Sequence, residues 1–130
     1  MTSRVGKATG AVLAATLLAS APVSAQTGQE RRILEMTRDA WVAFRDFDGH
    51  QLIYFTHLEA WTCGIVEVRY SVNSEALDQR WNLQPCNPEN PAAITANRPF
   101  IALPPGTAQS ISVQLTYADG ETSEIVTFTP

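Results

Sequence analysis

Beyond residue 50 the hydrophobic positions recur with a period of two, most clearly at Ile65–Val72 (IVEVRYSV). There Val66, Val68, Tyr70 and Val72 fall on one face and Glu67, Arg69 and Ser71 on the other. Residues two apart on a strand share a face, so this run predicts a strand with one buried and one wet side. Residues 51–56 (QLIYFT) and 99–103 (PFIAL) are further apolar runs rich in branched and aromatic residues, and each predicts a strand. The chain closes on residues 110–117 (SISVQLTY) and 122–128 (TSEIVTF), which flank Ala118-Asp119-Gly120-Glu121. Asp-Gly between two alternating runs predicts a hairpin whose two central residues both take positive φ. Ile111, Val113, Leu115 and Tyr117 then share one face, matched by Val126 and Phe128 on the partner strand.

The remaining stretches carry weaker periodicity. Ile33, Met36, Ala40 and Phe44 fit a helical stripe, yet residues 41–44 fit a strand equally well, because the turn signal Asp46-Phe47-Asp48-Gly49 follows them. The pattern predicts a flexible or short helical segment over 26–38, with 26–30 disordered, then a strand at 40–45. Residues 73–98 hold Pro85, Pro88 and Pro91 with several Asn, and read as a long excursion with one short strand at 80–84. Short strands with Gly/Pro punctuation and no helical alternation predict an all-β fold over 39–130. The expected form is a small immunoglobulin/fibronectin-III-like antiparallel β-sandwich.

The first 25 residues follow another grammar. Arg4 and Lys7 precede an uncharged apolar run, Ala11–Ala19, and small residues follow with Val23 and Ala25 at the positions a signal peptidase reads. This predicts a secretory signal peptide over 1–25, cut at Ala25/Gln26, with an uncleaved anchor as the alternative. The apolar run is too short for a membrane helix of roughly 20 residues. The expected location is periplasmic or secreted, with no stable membrane span after cleavage. The leader takes two of the nine basic residues and none of the thirteen acidic ones, so the mature charge is −6. A chain of that sign without a basic run is a poor ligand for nucleic acid.

Export changes the reading of Cys63 and Cys86, the only cysteines. In an oxidising compartment two cysteines in a small domain usually pair. The alternative is a metal or redox pair, but C-x-x-C spacing is absent and no His lies close to Cys86. A disulfide is expected, contributing roughly 3.4 kcal/mol by restricting the unfolded chain.

Three stretches carry a family resemblance: Val68-Arg69-Tyr70-Ser71-Val72-Asn73, Arg98-Pro99-Phe100-Ile101-Ala102-Leu103, and the closing hairpin Ser112–Ser123. In this order residues 67–128 resemble the fibronectin-type-III-associated β-sandwich modules attached to chitobiase-like and other secreted glycosidases. The resemblance implies an accessory, non-catalytic module. It departs from those modules at Asn73-Ser74-Glu75, where they have an Asp-Gly turn, and in the insert that holds Cys86.

Candidate chemistry is sparse. Asp48, His50, His57 and Glu59 spell D-x-H-x6-H-x-E, and His57 and Glu59 would share a face on a strand, but a third convergent metal ligand is missing. No G-x-S-x-G is present. No catalytic residue, cofactor or metal site is expected. Trp41, Trp61 and Trp81 are candidates for stacking on a sugar or anchoring a protein. Trp81, with Arg80 and Asn82, is the expected partner-binding set, because it lies in the polar excursion. The expected function is a non-catalytic binding module for an unknown protein or glycan partner in the cell envelope. The alternatives are a secreted hydrolase inhibitor that uses the Pro-rich 73–98 loop, and an enzyme of unknown type.

Overall fold

A computed structural model describes residues 22–130, with side chains from Gly28 onward. Residues 1–21 of the expected leader lie outside the described residues, and the expected cut at Ala25/Gln26 falls within the first helix. Two antiparallel sheets form a β-sandwich. One is the three-stranded sheet β1-β2-β5, from β1 (Ala43–Phe47), β2 (His50–Tyr54) and β5 (Phe100–Leu103). The other is the four-stranded sheet β4-β3-β6-β7, from β4 (Gln79–Trp81), β3 (Ile65–Val72), β6 (Ile111–Tyr117) and β7 (Val126–Phe128). Between them lie Ile53, Phe55, Val68, Ile111, Val113, Leu115 and Tyr117, all buried.

The alternation of β3 holds from Glu67 onward: Val68, Tyr70 and Val72 pair with Leu115, Val113 and Ile111 on the core side. It fails at Val66. The register with β6 shifts between Ile65 and Glu67, so Ile65 takes the buried place and Val66 is 67 % exposed. A bulge adds one unpaired residue and re-aims the side chains before it.

The two Asp-Gly turns differ. Asp48 and Gly49 both have positive φ between the paired Phe47 and His50, which is the two-residue hairpin geometry. At Asp119-Gly120 only Gly120 has positive φ, and the Tyr117 N–H donates to the Glu121 carbonyl at 2.8 Å. The expected two-residue turn there is a three-residue loop, Ala118-Asp119-Gly120, with glycine in the left-handed position.

Residues 26–30, expected to be disordered, belong to helix α1 (Pro22–Met36). The expected stripe is also out of phase: Met36 is 78 % exposed and Leu34 is fully buried. The phase is set by how α1 docks. The Trp41 indole donates to the Leu34 carbonyl at 2.9 Å and Arg31 reaches Asp119, while Arg38, just beyond the helix, reaches Glu124. Tyr117 donates to Glu35 at 3.4 Å, and burial, reinforced by that carboxylate, pushes its phenol up to about 12.

The closest approach is at Gly64, where an added Cβ would sit 2.7 Å from the Glu30 Cβ. Replacing Gly64 with Ala must therefore displace α1. It should lower stability by about 1–3 kcal/mol, as overpacking does. Urea unfolding of the Gly64→Ala variant reads this as a lower midpoint, and an unchanged midpoint would mean that α1 does not pack there.

Candidate functional site

Arg80, Trp81 and Asn82 meet the Cys63–Cys86 disulfide in one open groove of about 670 Å³. The disulfide forms as expected, with Cα atoms 4.7 Å apart. Val66, turned outward by the bulge, and Thr116 also line the groove. Arg80 is exposed and pairs with Glu67, which Arg69 also contacts at 3.3 Å, so one carboxylate is shared by two guanidiniums across the β3–β4 pair. Such pairs on a wet surface contribute at most about 1 kcal/mol.

Trp81 sits between scaffold and groove. Its ring stacks on Phe55 with centroids 4.7 Å apart, and its indole N–H donates to Glu59 Oε2 at 2.6 Å. The side chain is half-buried, so the groove meets an aromatic surface whose rotamer is already fixed. Trp61 is half-buried against the core and Trp41 is fully buried within it. Trp41 therefore offers no exposed ring, and Trp61 does not line the groove.

The excursion that frames the groove is ordered by side chains. Its strand is Gln79–Trp81, slightly earlier and shorter than the expected 80–84. Beyond it, Gln84 Nε2 donates to the Ala93 carbonyl at 2.6 Å, and Gln84 Oε1 accepts from the Thr95 and Ala96 amides. The backbone N–H of Gln84 donates to Glu59 Oε1 at 2.9 Å, and its carbonyl accepts from the Thr62 hydroxyl. Glu59 is fully buried, and both its oxygens accept from neutral donors.

Sequence reasoning missed Glu59 and Gln84 as organisers because it ended a strand at Thr56. Residues Thr56–Ala60 form a short helix, α2. Two residues apart on a helix point to opposite sides, so His57 and Glu59 diverge rather than share a face. His57 Nε2 lies 2.9 Å from the Thr37 hydroxyl, while Glu59 faces Trp81. His50 Nδ1 contacts the Asp48 carbonyl. The D-x-H-x6-H-x-E spelling is therefore scattered over three places. Thr37 donates to the Ile33 carbonyl at 2.7 Å, so the His57 ring nitrogen donates to Thr37 in turn. The pair ties the residue just after α1 to α2 and is not arranged as a base activating a hydroxyl.

No family model, curated protein or solved structure matches the chain.

Two tests follow the buried polar contacts. Glu59→Ala leaves the Trp81 and Gln84 N–H groups without acceptors, and should cost roughly 2–5 kcal/mol. Glu59→Gln, with one acceptor and one misplaced donor, should fall between it and the native protein, as read by urea midpoints and tryptophan emission. For His57, burial holds the pKa below its ordinary 6.5. The unfolded chain then binds this proton more readily, so the contribution is intact above the ordinary value and is lost as pH falls through the folded one. Stability between about pH 7.5 and pH 5 should fall more steeply for the native protein than for His57→Gln. Parallel curves would remove His57 from the balance.

Proposed function

We propose that this protein is a non-catalytic extracytoplasmic binding module whose ligand, a protein segment or a glycan, lies in the groove between Val66 and Trp81. The observation that carries the reading is the bulge at Val66. It costs a ladder position and places an apolar side chain in water, in the groove that a tryptophan fixed by Phe55 and Glu59 also lines. Bulges that re-aim a side chain concentrate beside functional sites. Arg80, Asn82 and Thr116 supply polar contacts along the same groove, and a few directed polar groups around an apolar patch is the usual composition of a binding cleft.

Export belongs to the same proposal. The leader pattern over residues 1–25 and the Cys63–Cys86 bridge support it. Kinship with immunoglobulin-like sandwiches and with the accessory modules of secreted glycosidases is part of the same proposal. Seven strands split three and four support that kinship, as do β3, β5 and β6, which fall on the stretches that carry the resemblance.

A second reading is an inhibitor that inserts the 87–91 apex into a hydrolase. It is favoured by the exposure of Asn87, Pro88, Glu89, Asn90 and Pro91 on a loop held by Gln84 and the disulfide. A loop fixed before binding loses little entropy on binding.

Pull-down from an envelope fraction and retention on chitin, cellulose and peptidoglycan beads separate these readings. Val66→Glu and Asn82→Ala should each weaken capture by roughly tenfold or more without moving the melting temperature. Capture of one hydrolase, indifferent to both variants but lost when 87–91 becomes Gly/Ser, would replace the groove reading with inhibition. Turnover of a hydrolase substrate would overturn the non-catalytic reading.

A further inference from the structure

The outer face of the β1-β2-β5 sheet has a different chemistry from the rest of the surface. The registers put Ala43, Arg45 and Phe47 of β1, His50, Leu52 and Tyr54 of β2, and Phe100 and Ala102 of β5 on that face. No carboxylate stands at any of these strand positions. Leu52 is only 6 % exposed, yet it lies outside the main core. Phe47 is 52 % exposed. Tyr54 and Phe100 pair with centroids 5.1 Å apart, and Arg98 stands over the Phe100 ring.

Charge marks the same face. Arg31, Arg38, Arg69 and Arg80 each pair with a carboxylate, whereas Arg45 and Arg98 pair with none among the described residues. Their guanidiniums rest on rings instead, Arg45 at 4.2 Å from the Phe47 centroid and Arg98 at 5.4 Å from that of Phe100. The chain is acidic overall; of the three arginines without a carboxylate partner among the described residues, Arg45 and Arg98 lie at this face and Arg32 lies on α1.

We propose that this face docks an acidic protein segment, one that carries carboxylates on both sides of an apolar stretch. Arginine and aromatic residues without carboxylates are the composition of interface hot spots. A sugar fits less well. Each guanidinium covers a ring face, and Tyr54 and Phe100 are tilted by 48° rather than coplanar. Nor does a second copy apposed through the same face, which would bring the arginines against one another. Arg45 lies on edge strand β1, in register with Ala102 of β5 through Leu52, and Arg98 lies two residues before β5 and four before Ala102. Strand geometry puts them roughly 16 Å apart, about five residues of extended chain. The segment's carboxylates should show that spacing.

Random peptides displayed on phage and selected on the purified protein test this. Enriched peptides should carry Asp or Glu about five residues apart around apolar positions. Their affinity should fall by roughly tenfold or more in the Arg45→Glu/Arg98→Glu double variant and in Phe47→Ser. It should also weaken between about 50 and about 300 mM salt. Arg32→Glu on α1, the same change of two charges as Arg45→Glu or Arg98→Glu alone, should leave binding unchanged while each of those single variants weakens it; equal loss there would show a net-charge effect and overturn the site. Peptides without acidic bias, peptides indifferent to Arg45→Glu/Arg98→Glu, or an empty selection would overturn the proposal. Retention on polygalacturonate beads that is lost in the double variant would reassign the face to acidic glycan and equally overturn it. Melting temperatures of all variants confirm that each is folded.

Discussion

The buried carboxylate of Glu59 is the contact on which one whole side of the sandwich depends. Removing a carboxylate from water costs several kcal/mol unless its oxygens find donors. Here the donors are the Trp81 indole and the Gln84 amide, both far along the chain. Satisfying Glu59 therefore fixes the end of β4 and the start of the Pro-rich loop relative to α2. The next residues repeat the tie. Thr62 donates to the Gln84 carbonyl at 2.7 Å, and Cys63 is bonded to Cys86. Three successive links join segment 59–63 to segment 84–86. The hydrogen bonds set geometry, and the covalent bond limits how far the unfolded chain separates the two.

A recurring device holds the other irregular segments. Buried peptide groups need partners, and a sheet of short strands leaves many outside any ladder. Side-chain amides supply them, since each carries one carbonyl and one N–H2 and mimics a peptide. Gln51 donates to the Ala108 carbonyl and accepts from the Ala108 N–H, at 2.9 and 2.8 Å. Asn73 donates to the Thr107 carbonyl and accepts from the Gln109 and Ser110 amides. It does so from a φ of 60°, a conformation that asparagine tolerates better than most residues. Gln84 does the same for residues 93–96. The three amides secure the loops that the strands do not reach.

What the sequence displayed was set by how local its cause was. The strands at 65–72 and 111–117 were legible because a period of two is written directly in the residues. Val66 was misassigned because a bulge depends on the partner strand, and β6 lies some forty residues away. Helix α2 is one turn and a half long, too short to show a helical period. Its only local mark was Thr56-x-x-Glu59, a helix-start spelling, although Glu59 turns to Trp81 instead of to the helix end. Leu34 rather than Met36 became the buried position of α1 because Gly64 admits Glu30 one turn earlier. Arg80, Trp81 and Asn82 were found together because a polar excursion between strands is where side chains are free for other work. The aromatic face of β1-β2-β5 was not found. Residues 51–56 read as an undivided apolar run, and only registers with β1 and β5 assign its faces.

Those faces separate the two sheets. An antiparallel sheet that meets water on one side normally turns polar residues outward. The β4-β3-β6-β7 sheet obeys except at the bulged Val66: Glu67, Arg69, Gln114 and Thr127 face out, with Arg69 paired to Glu67 and Thr127 bonded to the covered Ser112 hydroxyl. The β1-β2-β5 sheet turns out Phe47, Tyr54, Phe100 and two arginines without carboxylate partners. Core packing does not require this, since Phe44, Ile53 and Ile101 already fill the inner side. The edges also point to the face rather than to strand addition. β5 is four residues long between Pro99 and Pro104, and β1 carries Arg45 and Asp46, both of which discourage pairing with another strand. A surface that departs from the polar rule while its edges are guarded is shaped for a partner that lies across it.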